Sequence, residues 1–274
     1  LTLILMDESV NILLQQYQSL NLSAYIDYDK FNQYAITHHS TTIEGSTLTE
    51  VETRLLLDEG ITPKGKPLLH SLMVQDHYQT LIFVQQEASS KRYLDKNFIQ
   101  GINAKVMRFT GSIYQTVFGE IDATKGMFRK GNVSAGNTYF VSFDKVETLV
   151  QKLCNKINEA LKTTSLLEDK LNLCFDAHFD LVTIHPFYDG NGRTSRLLMN
   201  YLLQIFQLPM AIVFKEDKAD YFEALQLTRK QEDIVIFRKF MYQQYAKYLH
   251  LEIEKIKLMQ DPDNKKGGGF SLIF

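Results

Sequence analysis

Apolar residues recur three or four positions apart along most of this 274-residue chain, and only five prolines interrupt it. This spacing places apolar side chains on one face of an α-helix. We therefore expect a mainly α-helical fold. Helices are predicted at residues 8–20, 29–44, 47–60, 68–88, 97–118, 143–162, 168–184, 192–206, 218–228 and 232–259. Thr47, followed by Glu50, is read as the N-cap of the third helix, and Gly60 as its end.

Residues 126–141, GMFRKGNVSAGNTYFV, break this helical pattern. Glycines recur through the segment, the turn-forming run 134–137 lies at its centre, and residues with strand preference flank that run. We read a β-hairpin here. An ordinary surface loop is the alternative that the residues leave open.

Composition excludes several classes of protein. The formal net charge of −2 argues against a protein that binds nucleic acid mainly by electrostatic attraction. Cys154 and Cys174 both fall in apolar helical patterns, so we read them as reduced thiols in the core. The first residues carry no basic segment, and no stretch reaches about 18 apolar residues. We expect a soluble, cytoplasmic protein with no membrane partner.

The stretch HPFYDGNGRTSR, residues 185–196, holds a histidine, an acid, two glycines and two arginines. Pro186 disfavours helical backbone at the residue before it, so the preceding helix should end there and leave His185 facing a cleft. Gly190 and Gly192 let the backbone turn sharply before a new helix begins. The first N–H groups of that helix form a site for an anion.

Arg193, Arg196 and Asn200 lie at i, i+3 and i+7 of the new helix, and therefore on one face. Guanidinium groups bind phosphate oxygens through paired hydrogen bonds, so this face continues the anion site. Asp189 supplies a carboxylate of the kind that Mg²⁺ uses beside substrate phosphates. His185 is placed to take a proton from an incoming hydroxyl. Each feature alone is commonly structural, but together they indicate a site for a polyphosphate and a nucleophile.

This stretch resembles the signature of the Fic family, His-Pro-Phe-x-Asp/Glu-Gly-Asn-Gly-Arg-x-x-Arg, and every fixed position matches. The resemblance extends from about 34 to about 245, more loosely before the motif. It implies a Fic-type helical bundle with a small β-hairpin flap over the active site. It also implies a protein adenylyltransferase, which transfers AMP from ATP to a Ser, Thr or Tyr hydroxyl of a target protein, mainly by positioning and charge stabilisation.

The resemblance assigns a role to each matching residue. His185 would be the general base, Asp189 would hold Mg²⁺ against the phosphates of ATP, and Arg196 would reach the γ-phosphate. The residues that would cradle the leaving pyrophosphate are Gly190, Asn191, Gly192 and Arg193. Those that would approach the nucleoside are Asn200, Tyr221 and Phe222.

In the family, the flap holds a segment of the target protein by strand addition. The predicted hairpin at 126–141 takes this role by resemblance, with its edge from Arg129 to Asn137. The residues expected to contact the target are Arg129, Gly131, Asn132 and Val133.

A second motif, STTIEG at 40–45, resembles the inhibitory Ser/Thr-x-x-x-Glu-Gly/Asn motif of self-restrained Fic proteins. Ser40 and Glu44 are four residues apart, so both can lie on one helix face. An anion in the last turn of a helix needs a cation partner, and the resemblance implies that this partner is Arg196. ATP would then bind in a non-productive pose. The alternative is that Glu44 is an ordinary surface acid.

The resemblance leaves more than one reaction open. Another nucleotide or phosphate-containing donor could replace ATP, and some relatives with the inhibitory glutamate also remove AMP from the target. A zinc enzyme would need closely spaced histidines beside an acid, which His38, His39, His178 and His185 do not provide. We read His178 as a residue that packs in the core or supports a residue of the site. Too few residues follow 250 for a winged helix, so no DNA binding is expected. A homodimer is left open.

Three regions are predicted along the chain. Residues 1–90 form an N-terminal helical region that includes the inhibitory helix at about 34–45. Residues 91–250 form the catalytic core, and residues 251–274 form the end of the last helix and a flexible tail.

Overall fold

Helices form where apolar residues recur at helical spacing and helix breakers are absent. The computed structural model describes residues 2–20, 28–90, 93–136 and 138–260, without the side chains of 2–8 and 259–260. Within these ranges the helices are Thr2–Ser19 (α1), Tyr28–Ile43 (α2), Glu50–Glu59 (α3), Leu68–Ser89 (α4), Lys96–Val106 (α5), Phe143–Thr163 (α6), Leu167–Ile184 (α7), Asn191–Ile205 (α8), Lys218–Gln231 (α9) and Ile234–Gln260 (α10). The mainly α-helical prediction is confirmed.

The helix predicted at 97–118 is wrong in its second half. The observed helix α5 ends at Val106, and an antiparallel hairpin of Ile113–Thr116 (β1) and Gly119–Asp122 (β2) follows. Gly111 lies between α5 and β1. A Cβ there would come within 2.7 Å of Met107 O, so the chain folds back closely on itself. The β-branched and aromatic residues after this turn fit the pleated surface of a strand.

The predicted N-cap of α3 is displaced by two residues. Thr49, and not Thr47, caps the helix, because its hydroxyl accepts from the N–H of Glu52 at 3.2 Å. The Glu52 carboxylate accepts in return from the N–H of Thr49 at 2.7 Å. This reciprocal pair satisfies two N–H groups that the helix leaves free. Gly60 ends the helix in left-handed conformation, as predicted.

Helices α7 and α8 pack together at the centre of the bundle, with the HPFYDGNGRTSR stretch at their junction. Helices α2, α4 and α5 also pack against α8. Most residues of α8 are buried, polar ones included. The loop that begins α8 therefore rests on a largely buried helix.

A second hairpin confirms the prediction for residues 126–141. Ser134–Ala135 (β3) pairs antiparallel with Thr138–Tyr139 (β4), so the strands are shorter than the predicted segment. Gly136 has a φ of 55° in the turn, a conformation that glycine adopts without strain. Asn137 lies outside the described residues. We call the segment 126–141 the flap.

The remaining predictions on the whole chain divide into those that the structure addresses and those that it leaves open. Cys154 and Cys174 are buried free thiols in the main apolar core, as predicted. Over the part of the chain that the structure describes, no helix is both long and apolar enough to cross a membrane. The predicted tail falls on 261–274, outside the described residues. The division at 90 and 250 stays a prediction.

Candidate active site

His185 stands at the end of α7 in a left-handed backbone conformation, with φ 53° and ψ 58°. This conformation costs a residue with a Cβ about 1–2 kcal/mol. Pro186 disfavours a further helical turn, while the N–H of His185 still donates to Leu181 O at 3.1 Å. The chain therefore leaves the helix abruptly, and the imidazole lies half-buried at the exit, as predicted.

The imidazole of His185 is neutral. Burial lowers its pKa to about 4, and the charges of Arg129 and Arg229 act in the same direction, against a rise from the hydrogen bond to Val182. Nδ1 lies 3.4 Å from Val182 O, and a carbonyl only accepts, so Nδ1 carries the proton and Nε2 is free to take one. Phe140 stacks on the ring, with centroids 3.8 Å apart and planes 13° apart.

The loop that follows the histidine is fixed by two asparagines. Asn191 bonds both ways to the backbone of Phe187: its Oδ1 accepts from N at 3.0 Å, and its Nδ2 donates to O at 2.9 Å. Asn103, on α5, donates to Asp189 O and to Thr194 Oγ1, each at 3.1 Å. The loop is therefore held by its own helix on one side and by α5 on the other.

Two glycines occupy positions where a side chain would not fit. Gly190, the N-cap of α8, has a φ of 77°, and a Cβ there would lie 2.8 Å from both Asn103 Nδ2 and Met107 Sδ. A Cβ on Gly192 would clash with the carboxylate of Glu44. The N–H groups in the first turn of α8 have no partner inside the helix, and a helix N-terminus attracts anions.

Two buried guanidinium groups follow on α8. Arg193 and Arg196 are 2% and 3% exposed. Nε and Nη1 of Arg193 and Nη1 of Arg196 have no hydrogen-bond partner among the described residues. A buried cationic donor without a partner is costly. These N–H groups therefore indicate a site for an anion.

Asp189 lies on the open side of the loop, and its side chain is 53% exposed. Its Oδ1 accepts from the N–H of Gly190 and lies 3.3 Å from Arg193 Nη2, which leaves Oδ2 available. An exposed carboxylate oxygen beside an anion site is a ligand that Mg²⁺ takes together with phosphates and water. Asp189 therefore offers one carboxylate ligand to a magnesium ion, and substrate phosphates and water would supply the others.

Glu44 pairs with Arg196, the partner that the family resemblance implies, and Ser40 contacts the same guanidinium. Arg196 donates through Nε to Ser40 Oγ at 2.9 Å, and through Nη2 to Ser40 O at 3.0 Å and Glu44 Oε1 at 2.7 Å. Burial would raise the pKa of the Glu44 carboxyl, but Arg196 and Arg193 outweigh it and hold that pKa below its usual range. The carboxylate is therefore charged, and it lies where an anionic ligand of Arg196 would lie.

A second set of contacts joins α2 to the segment before α9. Lys215 donates its backbone N–H to His39 Nδ1 at 3.1 Å, and its ammonium group lies 2.9 Å from His38 Nε2. Burial and then the charge of Lys215 lower the pKa of His38 to about 3 and that of His39 to about 4. Both rings are therefore neutral acceptors, and they attach α2 to the core independently of Arg196.

Known proteins resemble this chain in sequence and in fold. Residues 93–203 match the sequence model of the Fic/DOC family. The protein adenylyltransferase Fic of Drosophila melanogaster is 30% identical over 205 residues, which make up 74% of this chain and 39% of that protein. A Fic domain-containing signaling protein from Bacteroides thetaiotaomicron is 25% identical, with a TM-score of 0.78 over 91% of this chain and 98% of that chain. The chain belongs to the Fic/DOC family.

Fic-1 from C. elegans shares the fold at 23% identity, with a TM-score of 0.77 over 93% of this chain and 72% of that chain. The predicted Fic-type bundle with a hairpin flap is confirmed. The chain spans 39% of the length of the curated Drosophila melanogaster relative that it matches.

Within this Fic site, two predicted nucleotide contacts need correction. Asn200 is 2% exposed, and its amide bonds both ways to the backbone of Ala211, at 2.7 and 3.1 Å. Tyr221 is 1% exposed, and its hydroxyl lies 2.9 Å from His178 Nε2. Neither side chain is available to a nucleoside, because the core already uses its polar atoms. His178 is buried and supports Tyr221, which lies beside Arg196.

Arg129 is also corrected. Its side chain is buried, and its guanidinium donates to the main-chain carbonyls of Gly131, Val141 and His185. The prediction that Arg129 contacts a target protein is therefore wrong, because these contacts use its donors inside the chain.

The other flap residues predicted to contact a target remain at or near the surface. Gly131 and Val133 are half-buried, and Asn132 is exposed. The Oδ1 of Asn132 accepts from the N–H of Phe143 at 3.1 Å, and Val133 O accepts from the N–H of Phe140 at 3.3 Å. Their contact with a target stays a prediction.

Sequence reasoning missed two residues of the Fic site, Asn103 and Phe140. Asn103 is an isolated polar residue on the apolar face of α5, and such a residue signals a buried hydrogen bond. Phe140 carries no such signal, because nothing in the pattern separates it from its neighbour Tyr139, which is 87% exposed.

Proposed function

We propose that this chain is a protein adenylyltransferase, which moves AMP from ATP to a hydroxyl side chain of a target protein. The unpaired, buried N–H groups of Arg193 and Arg196 carry this proposal, because they lie on the helix whose free N-terminal amides form an anion site. A polyphosphate would satisfy them. The curated relatives named as protein adenylyltransferases support the same activity.

His185 would act as the general base. Its free Nε2 takes the proton of the target hydroxyl, the hydroxyl oxygen bonds to the α-phosphorus of ATP, and the bond from that phosphorus to the bridging oxygen breaks. Pyrophosphate leaves with the electron pair of the broken bond. A pKa of about 4 keeps the imidazole unprotonated at neutral pH, which is the state that this step requires.

The first turn of α8 would bind the pyrophosphate. Its amides and the two guanidinium groups stabilise the negative charge that develops on the leaving group. Each hydrogen bond from a charged donor contributes about 1.5–3 kcal/mol. Asp189 would hold Mg²⁺, which when bound neutralises phosphate charge.

Glu44 would restrain the enzyme from within the same chain. Its carboxylate takes Nη2 of Arg196 at 2.7 Å, and it leaves no room for a Cβ on Gly192. A γ-phosphate that pairs with Arg196 would therefore compete with Glu44 for one guanidinium. ATP that binds while Glu44 is in place would be held away from alignment with His185.

The flap would hold the target. Strands β3 and β4 form a two-stranded ribbon whose outer edge can accept a further strand. Phe140 follows β4 directly and stacks on His185. A target segment paired with the flap would therefore bring its hydroxyl close to the base.

Labelling with α-³²P-ATP and Mg²⁺ tests this function. The parent chain, Glu44→Gly and the double variant Glu44→Gly/His185→Ala are incubated with a cell lysate, and protein-bound label is read on a gel. We expect strong label with Glu44→Gly, weak label with the parent chain and none with the double variant. γ-³²P-ATP is the matched control, since its label would leave with pyrophosphate.

Two outcomes would contradict parts of the proposal. Equal label with the parent chain and Glu44→Gly would mean that Glu44 pairs with Arg196 without restraining the enzyme. Label from γ-³²P-ATP that disappears in the double variant, without label from α-³²P-ATP, would mean that this chain transfers phosphate and not AMP.

A further inference from the structure

Arg129 is a buried cation whose hydrogen bonds all go to main-chain carbonyls. Nε donates to His185 O at 2.8 Å, Nη1 to Gly131 O at 2.8 Å and Nη2 to Val141 O at 2.5 Å. Nη2 also lies 3.5 Å from Ile184 O. A guanidinium group loses much hydration free energy on burial unless its donors find partners. Four carbonyl oxygens therefore surround the five N–H donors of this side chain.

The acceptors of Arg129 come from both sides of the β3–β4 hairpin in the flap and from the end of α7. Gly131 precedes β3, Val141 follows β4, and His185 is the C-cap residue of α7. The backbone N–H of Arg129 also donates to Pro186 O at 2.9 Å. Arg129 thus binds the carbonyls of His185 and of the residue after it, and it joins them to the flap.

His185 needs such a partner because of its own backbone. Its left-handed conformation is unfavourable. In addition, no N–H group of the helix donates to a carbonyl at the helix end. The Nε of Arg129 binds that carbonyl. On the ring side, Phe140 stacks on the imidazole, and the guanidinium of Arg229 lies 5.6 Å from the centre of the Phe140 ring.

We propose that Arg129 is a positioning residue for His185: it fixes the peptide of the base and fastens the flap that presses Phe140 against the imidazole. This inference rests on the proposed role of His185 as the general base. It means that the flap aligns the base as well as holding a target. A base displaced by about 1 Å can lower the rate about a hundredfold.

Proton NMR of the chain with labelled histidine measures the position of the ring directly, because a ring stacked on Phe140 is shifted by its ring current. His185→Ala identifies the signal. Arg129→Met removes every guanidinium donor and keeps the side-chain length, whereas Arg129→Lys keeps the charge and can reach one carbonyl. Arg108→Met, at an exposed arginine after α5, is the matched control.

We expect the shifted His185 signal in the parent chain and in Arg108→Met, its loss in Arg129→Met and an intermediate shift in Arg129→Lys. If Arg129→Met does not fold, the His185 shift in Arg129→Lys is compared with that in the parent chain, and this comparison tests the proposal. A His185 shift that is unchanged in the folded Arg129 variants would overturn the proposal, whatever their activity.

Kinetics separate alignment from substrate binding. In the Glu44→Gly background, we expect Arg129→Met to lower AMP transfer at saturating ATP about a hundredfold. The KM for ATP should be unchanged, because the Arg129 guanidinium donates to the carbonyls of Gly131, Val141 and His185 and not to residues 189–196, which are proposed to bind the phosphates. If Glu44→Gly transfers no AMP at all, the proposed function fails, and the NMR comparison still decides the role of Arg129.

Discussion

Arg196 binds the carboxylate of Glu44 in this structure, and we propose that it binds the γ-phosphate of ATP in the active enzyme. Glu44→Gln keeps the size of the side chain and removes its charge. We expect the free energy of unfolding to fall by about 1–2 kcal/mol, because a buried guanidinium loses its counter-ion. The loss is smaller than for a fully buried pair, since the Glu44 side chain is 27% exposed.

ATP should reverse this loss. Thermal unfolding with and without ATP and Mg²⁺ gives the stabilisation by the nucleotide, and we expect a larger rise in Tm for Glu44→Gln than for the parent chain. Glu223→Gln, at an exposed glutamate on α9, is the control for a change of charge alone. Equal rises in all three proteins would show that Glu44 does not compete with the nucleotide.

At the scale of elements, Asn103 joins α5 to the loop that begins α8. Its Nδ2 donates to two oxygens, so Asn103→Asp would place a carboxylate against Asp189 O and Thr194 Oγ1. We expect the free energy of unfolding, measured in urea, to fall by about 2–3 kcal/mol and nucleotide binding to weaken, because the loop carrying Gly190 is released. Asn155→Asp, at an exposed asparagine on α6, should leave both unchanged.

The helices could be predicted because their apolar spacing is local. The stretch predicted as one helix at 97–118 shows the limit, since its apolar residues satisfy both a helix and the β1–β2 hairpin. The close approach at Gly111 decides between them, and it depends on the packing of Met107 and its neighbours. Spacing alone does not contain that contact.

The same limit separates the predicted site from the observed one. The twelve residues from 185 to 196 form their loop and helix from local rules, so their arrangement could be predicted. The partners of Arg129 and Asn103 in that loop are 56 and 86 residues away in sequence. Asn200 looks like a ligand-binding residue on its helix face, and only the fold reveals that Ala211 takes both ends of its amide.

At the scale of the whole molecule, burial keeps most of the histidines neutral. It lowers the pKa of five of the seven, His38, His39, His77, His178 and His185. An unfolded chain binds protons at histidine below about pH 6.5. The stability that these histidines confer is therefore complete above that pH and is lost as the pH falls below it, because the unfolded state then binds more protons than the folded state.

Buried acids act in the opposite direction. Burial raises the pKa of Glu50, Asp76 and Asp180, and it raises that of Asp76 to about 6. Asp76 therefore favours the folded state at low pH and loses that effect as the pH rises through about 6. Just below pH 6.5, unfolding lets five buried histidines take up protons. We therefore expect the histidines, and not these acids, to determine how the free energy of unfolding changes with pH in that range.

Urea unfolding measured at several pH values between about 7 and 5 tests this balance. Each buried histidine contributes at most about 1.4 kcal/mol per pH unit to the fall in unfolding free energy. His77→Gln should make the fall less steep by up to that amount, since His77 takes up a proton only when the chain unfolds. His250→Gln, at an exposed position on α10, is the control. An equally steep fall in His77→Gln would mean that other groups set the acid limit. A less steep fall would also mean that acid weakens the attachment of α2, because His38 and His39 accept hydrogen bonds from Lys215 only while they are neutral.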